Sequence, residues 1–251
     1  MINCNKVRSF SLGTLLLLLL GCDAVEQAPD AADAETIPRD NTGNVAAAGF
    51  YSKGPVTDAN CLLLDSKAKI ASGPVKSDNG VIQFAMHELS GDYFISCSGG
   101  SYSDEKSGET VLLSDTMVMR SLAIHVSNLS YPVMVTPLTE VAFQRAEAAG
   151  ETDSAAMQLQ ADLLADELGL DGINIGFEKP TSPNKIKGSS SPADIYAITL
   201  SALSHWMPSP DEASLKRVMS DLATDPDLGG YRQALSDTET SLKIDLSSFD
   251  N

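Results

Sequence analysis

Val133-Met134-Val135-Thr136-Pro137-Leu138-Thr139-Glu140-Val141-Ala142 is the stretch at which this 251-residue chain changes its period. Before it, short apolar runs alternate with turn residues about every eight to twelve positions, the spacing of consecutive short strands. After it, apolar residues recur three and four positions apart, the spacing of a helix face. Thr136 is suited to cap the first helix, because its side-chain oxygen can accept an N–H of the first turn. Pro137 suits the first helical position, where no backbone N–H is needed and its fixed φ is already helical. Leu138, Val141, Ala142 and Ala149 then form a stripe, and Gly150 ends the helix. The stretch predicts an α+β chain in two segregated parts: an all-β sandwich over residues 48–136 and a small α-helical bundle over 137–251.

Upstream, Cys61-Leu62-Leu63-Leu64 reads as one strand. Asp78-Asn79-Gly80 reads as a hairpin turn, since Asn-Gly tolerates positive φ, and it leads into Val81 to Met86 with Ile82, Phe84 and Met86 on one face. Asp92 to Ser98 alternates again and puts Tyr93, Ile95 and Cys97 together. Further strands are expected at Val111–Leu113, Met117–Val126 and Val133–Val135. Some seven short strands in so few residues suggest a sandwich of the immunoglobulin-like kind.

Downstream, a second helix is expected from Asp153, with Met157, Ala161, Leu164 and Leu168 on one face and Gly169 behind them. A third runs from Pro192 to Trp206. It carries no full charge between Ile195 and Trp206, which predicts a helix buried almost all round. A fourth opens with Ser209-Pro210-Asp211-Glu212, read as a capping box with proline at the first position, and its stripe is Leu215, Val218, Met219 and Leu222. The tail from Asp237 is polar. The connection between the second and third helices is long; Asn184-Lys185-Ile186-Lys187-Gly188 and the serines after it contain no acid. With Lys179 they form a local basic cluster, and a loop of this length and composition is expected to be disordered.

At the other end, Lys6 and Arg8 precede the run Leu15 to Leu20, which is too short to span a bilayer and fits the apolar region of a signal peptide. Leu19-Leu20-Gly21-Cys22 resembles the lipobox of bacterial lipoproteins. The resemblance implies removal of residues 1–21, acylation of Cys22 by chains such as palmitate, and an extracytoplasmic protein held at a membrane by lipid; which membrane stays open. One acyl chain holds a protein marginally and two or more hold it stably. Residues 22–47 are acidic and lack aromatic side chains before Thr36, a composition that cannot offset ordering entropy, and they are expected to form a disordered tether. Loss of residues 1–21 removes two of the 17 basic residues and none of the 34 acidic ones, leaving a net charge of about −19. Such a surface repels phosphate backbones, so nucleic acid is not an expected partner. With Cys4 removed and Cys22 lipidated, Cys61 and Cys97 remain. In an oxidising compartment they are expected to pair, the alternative being two buried thiols.

Three phrases carry a second resemblance: Lys53-Gly54-Pro55-Val56 with Ala59-Asn60-Cys61; Ser98-Gly99-Gly100-Ser101-Tyr102-Ser103-Asp104-Glu105; and, further on, Val135-Thr136-Pro137-Leu138-Thr139-Glu140 followed by Tyr196-Ala197-Ile198-Thr199-Leu200-Ser201-Ala202-Leu203-Ser204. Together they resemble the prealbumin-like β-sandwich called carboxypeptidase regulatory-like, as it occurs in bacterial surface and periplasmic lipoproteins ahead of a helical region. The resemblance spans about residues 48–235 and implies fold and placement at the cell envelope, but no catalytic residue. An antibody-type domain would put a tryptophan between the paired cysteines; here the one tryptophan is Trp206.

Chemistry-bearing motifs are sparse. His87, His125 and His205 have no helical metal spacing, and His87-Glu88 lacks the second histidine of a zincin motif. There is no Gly-x-Ser-x-Gly elbow and no Cys-x-x-Cys. Ser98-Gly99-Gly100-Ser101 lacks the Gly-Lys-Ser/Thr ending of a phosphate loop and reads as a tight turn between strands. Asp104 with Glu105, and Asp225 with Asp227, are acidic pairs without the spacing of a calcium loop. The expected function is therefore non-catalytic: binding, adhesion or a structural role at the envelope, with no cofactor and no metal. The partner is expected to be an envelope protein or surface ligand. Its contact surfaces are expected near Gly99, Gly100, Tyr102, Asp104 and Glu105, and near Lys179, Lys185 and Lys187. The alternatives are an accessory subunit of an envelope enzyme or secretion assembly, and a hydrolase whose site assembles in space.

Overall fold

The structure, a computed structural model, describes residues 47–85, 91–125, 132–182, 185–186, 191–224 and 228–242. The signal, Cys22 and the tether as far as residue 46 lie outside these, as do Met86, His87, Lys187, Asp225 and Asp227. Strands fill the N-terminal part of the described chain and helices the C-terminal part. The strands are β1 Ala47–Tyr51, β2 Asn60–Asp65, β3 Ile70–Lys76, β4 Val81–Phe84, β5 Asp92–Ser103, β6 Thr110–Arg120, β7 Ile124–His125 and β8 Val133–Val135. The helices are α1 Pro137–Ala148, α2 Ser154–Glu167, α3 Pro192–Trp206, α4 Glu212–Thr224 and α5 Gly229–Leu242.

The strands form two sheets. One has the order β4-β1-β8, with β1 antiparallel to β4 and parallel to β8. The other has the order β3-β2-β5-β6, antiparallel throughout, with β7 also on β5. The sheets meet closely where β1 has no side chain: a Cβ on Gly49 would stand 2.7 Å from Ile95 Cδ1 of β5. Between them lie Tyr51, Ile82 and Phe84 from the small sheet and Cys61, Leu63, Ile95, Cys97, Met117 and Met119 from the large one, all buried. Alternation along β2, β4 and β6 puts these apolar residues on the inner faces. Cys61 and Cys97 are register partners in β2 and β5, and their sulfurs are 2.04 Å apart. The bridge therefore ties two neighbouring strands of one sheet, whereas the immunoglobulin bridge ties two sheets.

Three local expectations change. Asp78-Asn79-Gly80-Val81 is the tight turn that Asn-Gly predicts, with φ of 48° at Asn79 and 82° at Gly80. It does not close a hairpin, because β3 pairs with β2 and β4 with β1; the turn passes the chain from one sheet to the other. Gly99-Gly100 is not a turn between strands but lies inside β5, where the register with β6 shifts between Ser98 and Gly100. Both glycines have positive φ, and a Cβ on Gly100 would stand 2.7 Å from the Thr57 carbonyl oxygen, so the pair forms a bulge that only glycine fits. That bulge lets β5 run on to Ser103 and delivers Asp104 and Glu105 beyond it. The two strands expected at Val111–Leu113 and Met117–Val126 are one strand, β6, followed by the short β7.

The helices pack on this layer and share one hydrophobic core with it. The transition at Thr136 is built as its residues predict. The Thr136 hydroxyl oxygen accepts from Thr139 N at 3.2 Å, Thr139 Oγ1 accepts from Thr136 N at 2.8 Å, and Pro137 opens α1. The Thr136 hydroxyl also lies 2.8 Å from the phenolic oxygen of Tyr196, which donates to the Ile175 carbonyl, so one buried hydroxyl joins α1, α3 and the connection between α2 and α3. Thr136→Ala is expected to lower the unfolding free energy by about 2 kcal/mol in urea titrations, the sum of a lost cap and a lost buried hydrogen bond. Arg120 of β6 grips Glu140 of α1 through Nε at 3.0 Å and Nη2 at 2.7 Å, and its guanidinium lies over the Phe143 ring at 3.8 Å.

α3 is buried from Tyr196 to Ser204, as its uncharged sequence predicts. α4 starts later than the capping-box reading has it: its cap is Asp211, whose Oδ1 accepts from Ser214 N at 2.7 Å. Glu212 instead reaches β6, accepting from Ser114 N and Oγ. α5 is a helix that the sequence reading does not name; it begins before Asp237 and runs into the tail expected to be polar. It buries Tyr231, Ala234 and Thr238 against the rest of the protein. The connection expected to be disordered is packed over residues 171–182: Ile173 and Ile175 are buried and Met134 N donates to the Gly176 carbonyl at 2.9 Å.

Candidate binding site

Three separate segments bring charge into the interior at one place. The turn after β1 supplies Lys53, the segment after β5 supplies Asp104 and Glu105, and the last turns of α3 supply Ser204. Lys53 Nζ donates to Glu105 Oε2 at 2.6 Å and to Ser204 Oγ at 2.5 Å, while Ser204 Oγ donates to the same Oε2 at 2.7 Å. The side chains of Lys53 and Glu105 are 0% and 4% exposed. The ammonium also lies 5.7 Å from the centroid of the Tyr102 ring. A buried ion pair holds only when hydrogen bonds satisfy both partners, and Ser204 supplies the third corner here.

Asp104 stands beside this triangle. Its Oδ1 accepts from Lys106 N, Ser107 N and Ser107 Oγ at 3.1, 2.8 and 3.0 Å. Burial pushes its carboxyl up, but the Ser107 hydrogen bonds and the Lys53 charge outweigh that and hold it below the usual carboxylate range. A depressed carboxyl contributes stability that is complete above its ordinary value of 3.8 and is lost as pH falls through the lower folded value. Asp104→Asn is therefore expected to lose less unfolding free energy than the wild type between about pH 5 and pH 3 in urea titrations. Asp104 Oδ2, Tyr51 Oη and Tyr102 Oη are buried with no hydrogen-bond partner. Burial first, then Glu105 and Asp104, raises the Tyr102 phenol, so it stays protonated.

The triangle joins a lysine, a carboxylate and a serine hydroxyl from three separate segments. The Lys53 ammonium is committed to Glu105, and the Ser204 hydroxyl already donates to that carboxylate. The geometry makes a pin between the sheets and α3.

One face of the pin is open. Glu105 lies on the wall of a cavity of about 170 Å³. The other walls include Phe50 of β1, Val81 of β4, Lys179 and Thr181 of the connection before α3, and Leu200 of α3. Glu105 Oε2 carries the Lys53 and Ser204 bonds, and Oε1 faces Gly54, 3.6 Å from where a Cβ there would stand. The Lys179 ammonium sits 3.6 Å above the centroid of the Phe50 ring, a cation–π contact that holds it at the rim. Among the described residues, no histidine lines the cavity. His205, next to the pin in sequence, is pushed down by burial and by Lys106, while His125 lies apart on β7. No group of three or more His, Cys, Asp or Glu side chains that could hold a metal occurs among the described residues.

The structure thus joins one residue from each of the two stretches that the sequence marks for contact: Glu105 and Lys179 share a cavity. Tyr102 and Asp104 lie behind it, in the interior. Gly99 and Gly100 form the bulge that leads there, Lys185 is exposed and does not line the cavity, and Lys187, Asp225 and Asp227 lie outside the described residues. Sequence reasoning did not single out Lys53, Ser204 or Phe50 as site residues. Two signals point to them. Lys53-Gly54-Pro55 puts a lysine in a turn directly behind the apolar Phe50-Tyr51, and Ser204 falls in a helix whose lack of charge requires its serines to be buried. Comparison with protein-family models, curated proteins and solved structures gave no match to this chain.

Proposed function

We propose that this protein is a non-catalytic binding lipoprotein of the bacterial cell envelope, anchored through acylated Cys22 and presenting a carboxypeptidase regulatory-like, prealbumin-like sandwich with a helical bundle packed on it. The observation that carries the binding role is the cavity at the junction of strands and helices, where a buried carboxylate and a rim cation meet a lining of mixed polar and apolar residues. Concave sites with a few fixed polar groups are where small ligands are held. The Cys61–Cys97 bridge fits an oxidising compartment, and among the described residues no helix is long and apolar enough to cross a membrane, which fits attachment by lipid.

A second reading, an accessory subunit of an envelope assembly, draws on Leu159 and Leu163. They lie one turn apart on α2 and are 55% and 45% exposed. Metabolic labelling with an alkyne palmitate analogue, followed by crosslinking in intact cells, tests the reading. The full chain should carry label and partition with membranes, and Cys22→Ser should do neither. An unlabelled wild-type chain would remove the anchor from the proposal. Protein crosslinks abolished by Leu159→Ser with Leu163→Ser would favour the subunit reading.

A further inference from the structure

We infer that the outer face of the large sheet is where two copies of this chain meet, sheet against sheet about a two-fold axis. The inference goes beyond the binding role proposed above and does not depend on it.

The face follows from the alternation of the strands. Cys61, Leu63, Cys97, Met117 and Met119 point inward and are buried, so the residues between them point outward. Register sets these side by side: Asn60, Ser98 and Val118 in one row, Leu62 with Ser96, Leu64 with Ile70, and Leu112 with Ser101. Ile70, Leu112 and Val118 are 58%, 75% and 40% exposed, three of the five large apolar side chains exposed among the described residues. One corner of the face is covered. There Phe143 of α1 lies against Phe94, ring centroids 5.1 Å apart, and under the Arg120 guanidinium.

Charge decides what covers the rest. The chain has 34 acidic residues against 17 basic ones, yet these strands turn no carboxylate to the outer face. β2, β5 and β6 hold one acid each and β3 holds none. Asp65 accepts from the backbone N–H groups of Lys67 and Lys69 in its own turn, and Asp92 accepts from Ser154 N at the start of α2. Asp115 lies against Gly99 in the bulge, in phase with the inward Leu113 and Met117. The two cations at the face are already matched: Lys76 donates to the Asp58 carbonyl, and Arg120 pairs with Glu140 and Glu147. Two copies repel through their acidic surfaces, but on this face they meet without burying an unmatched charge. A basic partner would be drawn to the acidic surface instead, and a sugar would stack on an aromatic ring, whereas Phe94 is covered.

The face also fits itself. Leu62 and Leu64 make a ridge on β2, and Ser96, Ser98 and Ser101 leave a hollow along β5. A two-fold axis running between β2 and β5 lays the ridge of each copy on the hollow of the other and brings Ile70 of β3 over β6, the strand of Leu112 and Val118. Four strands about 4.8 Å apart and about seven residues long cover roughly 450 Å² per copy. The total of about 900 Å² falls below the roughly 1,200 Å² at which stable interfaces begin, so the dimer belongs to the weak, concentration-dependent class.

Sedimentation velocity on the full Cys22→Ser chain, which keeps acyl chains out of the measurement, tests this. The weight-average mass should rise from the 26.5 kDa of one chain toward twice that between about 5 µM and about 500 µM, the range of a weak interface. Ile70→Glu with Leu112→Glu puts acid on the face at two exposed positions. It should weaken the dimer about tenfold or more, by repulsion between facing carboxylates, and leave the urea midpoint unchanged. Leu159→Glu with Leu163→Glu, on α2, should leave the dimer as it is. Raising sodium chloride from about 50 mM to about 500 mM should strengthen the wild-type dimer, because salt screens the repulsion between two acidic molecules and the face contributes no ion pair across it. A chain that stays monomeric at about 500 µM in the higher salt overturns the inference. So does a dimer that salt weakens, or one that the α2 variant dissolves and the sheet variant does not.

Discussion

Lys53→Met should destabilise the protein by about 3–5 kcal/mol, the range for removing one partner of a buried ion pair. The reason lies in what stays behind. Glu105 would keep a buried carboxylate facing Ser204 with no counter-charge, and Ser204 would lose the donor at 2.5 Å that completes its bonding. Total stabilities run about 5–15 kcal/mol, so the change consumes a large share and shows as a shift of the urea midpoint at unchanged slope. The double variant Lys53→Met with Glu105→Leu removes both charges and should recover most of the loss, because a well-packed apolar replacement of a buried pair is close to neutral. If the single variant loses under 1 kcal/mol, the pair is solvated and the pin does not join the sheets to α3.

The parts of the fold that are legible in the sequence are those where one residue type has one job. Thr136-Pro137 marks the start of α1, the uncharged run Ile195 to Trp206 marks a buried helix, and Cys97 in phase with Tyr93 and Ile95 marks an inward-facing bridge. What escaped was set by pairing at a distance. Asn79-Gly80 specifies a turn, but which sheet each flanking strand joins depends on β1 and β2, far away in the chain. Gly99-Gly100 has the same composition in a turn and in a bulge; the Thr57 backbone pressed against it decides between them. α5 buries Tyr231, Ala234 and Thr238, with Leu235 partly buried beside them, and its threonine masks the stripe.

The site was half legible for a related reason. Asp104-Glu105 and the lysine cluster stand out as charge and suggest solvent-facing contacts. Burial of an acid depends on a partner from elsewhere, and Lys53 lies 52 positions from Glu105 and 151 from Ser204. The three phrases that resemble a known sandwich do converge here. Lys53 comes from the first, Asp104 and Glu105 from the second, and the last pair supplies Ser204 and joins Thr136 to Tyr196.

Replacing Cys61 and Cys97 by alanine should lower stability by about 4 kcal/mol, the chain-entropy value for a loop of 36 residues, and lower Tm by roughly 10 °C. Both sulfurs are buried on the inner face of the large sheet, so serine should be worse than alanine at either position: its hydroxyl would enter the core without a partner. The same burial sets the response to reductant. Dithiothreitol should leave the folded protein intact for as long as β2 and β5 stay paired and should act only through unfolding, so the reduction rate should follow the unfolding rate as urea is raised. Reduction at a urea-independent rate would place the bridge at the surface. The consequence reaches the cavity. β5 carries Cys97, then the glycine bulge, then Tyr102, and hands the chain to Glu105. Without the bridge, β2 holds the strand that aims this carboxylate through the backbone ladder alone.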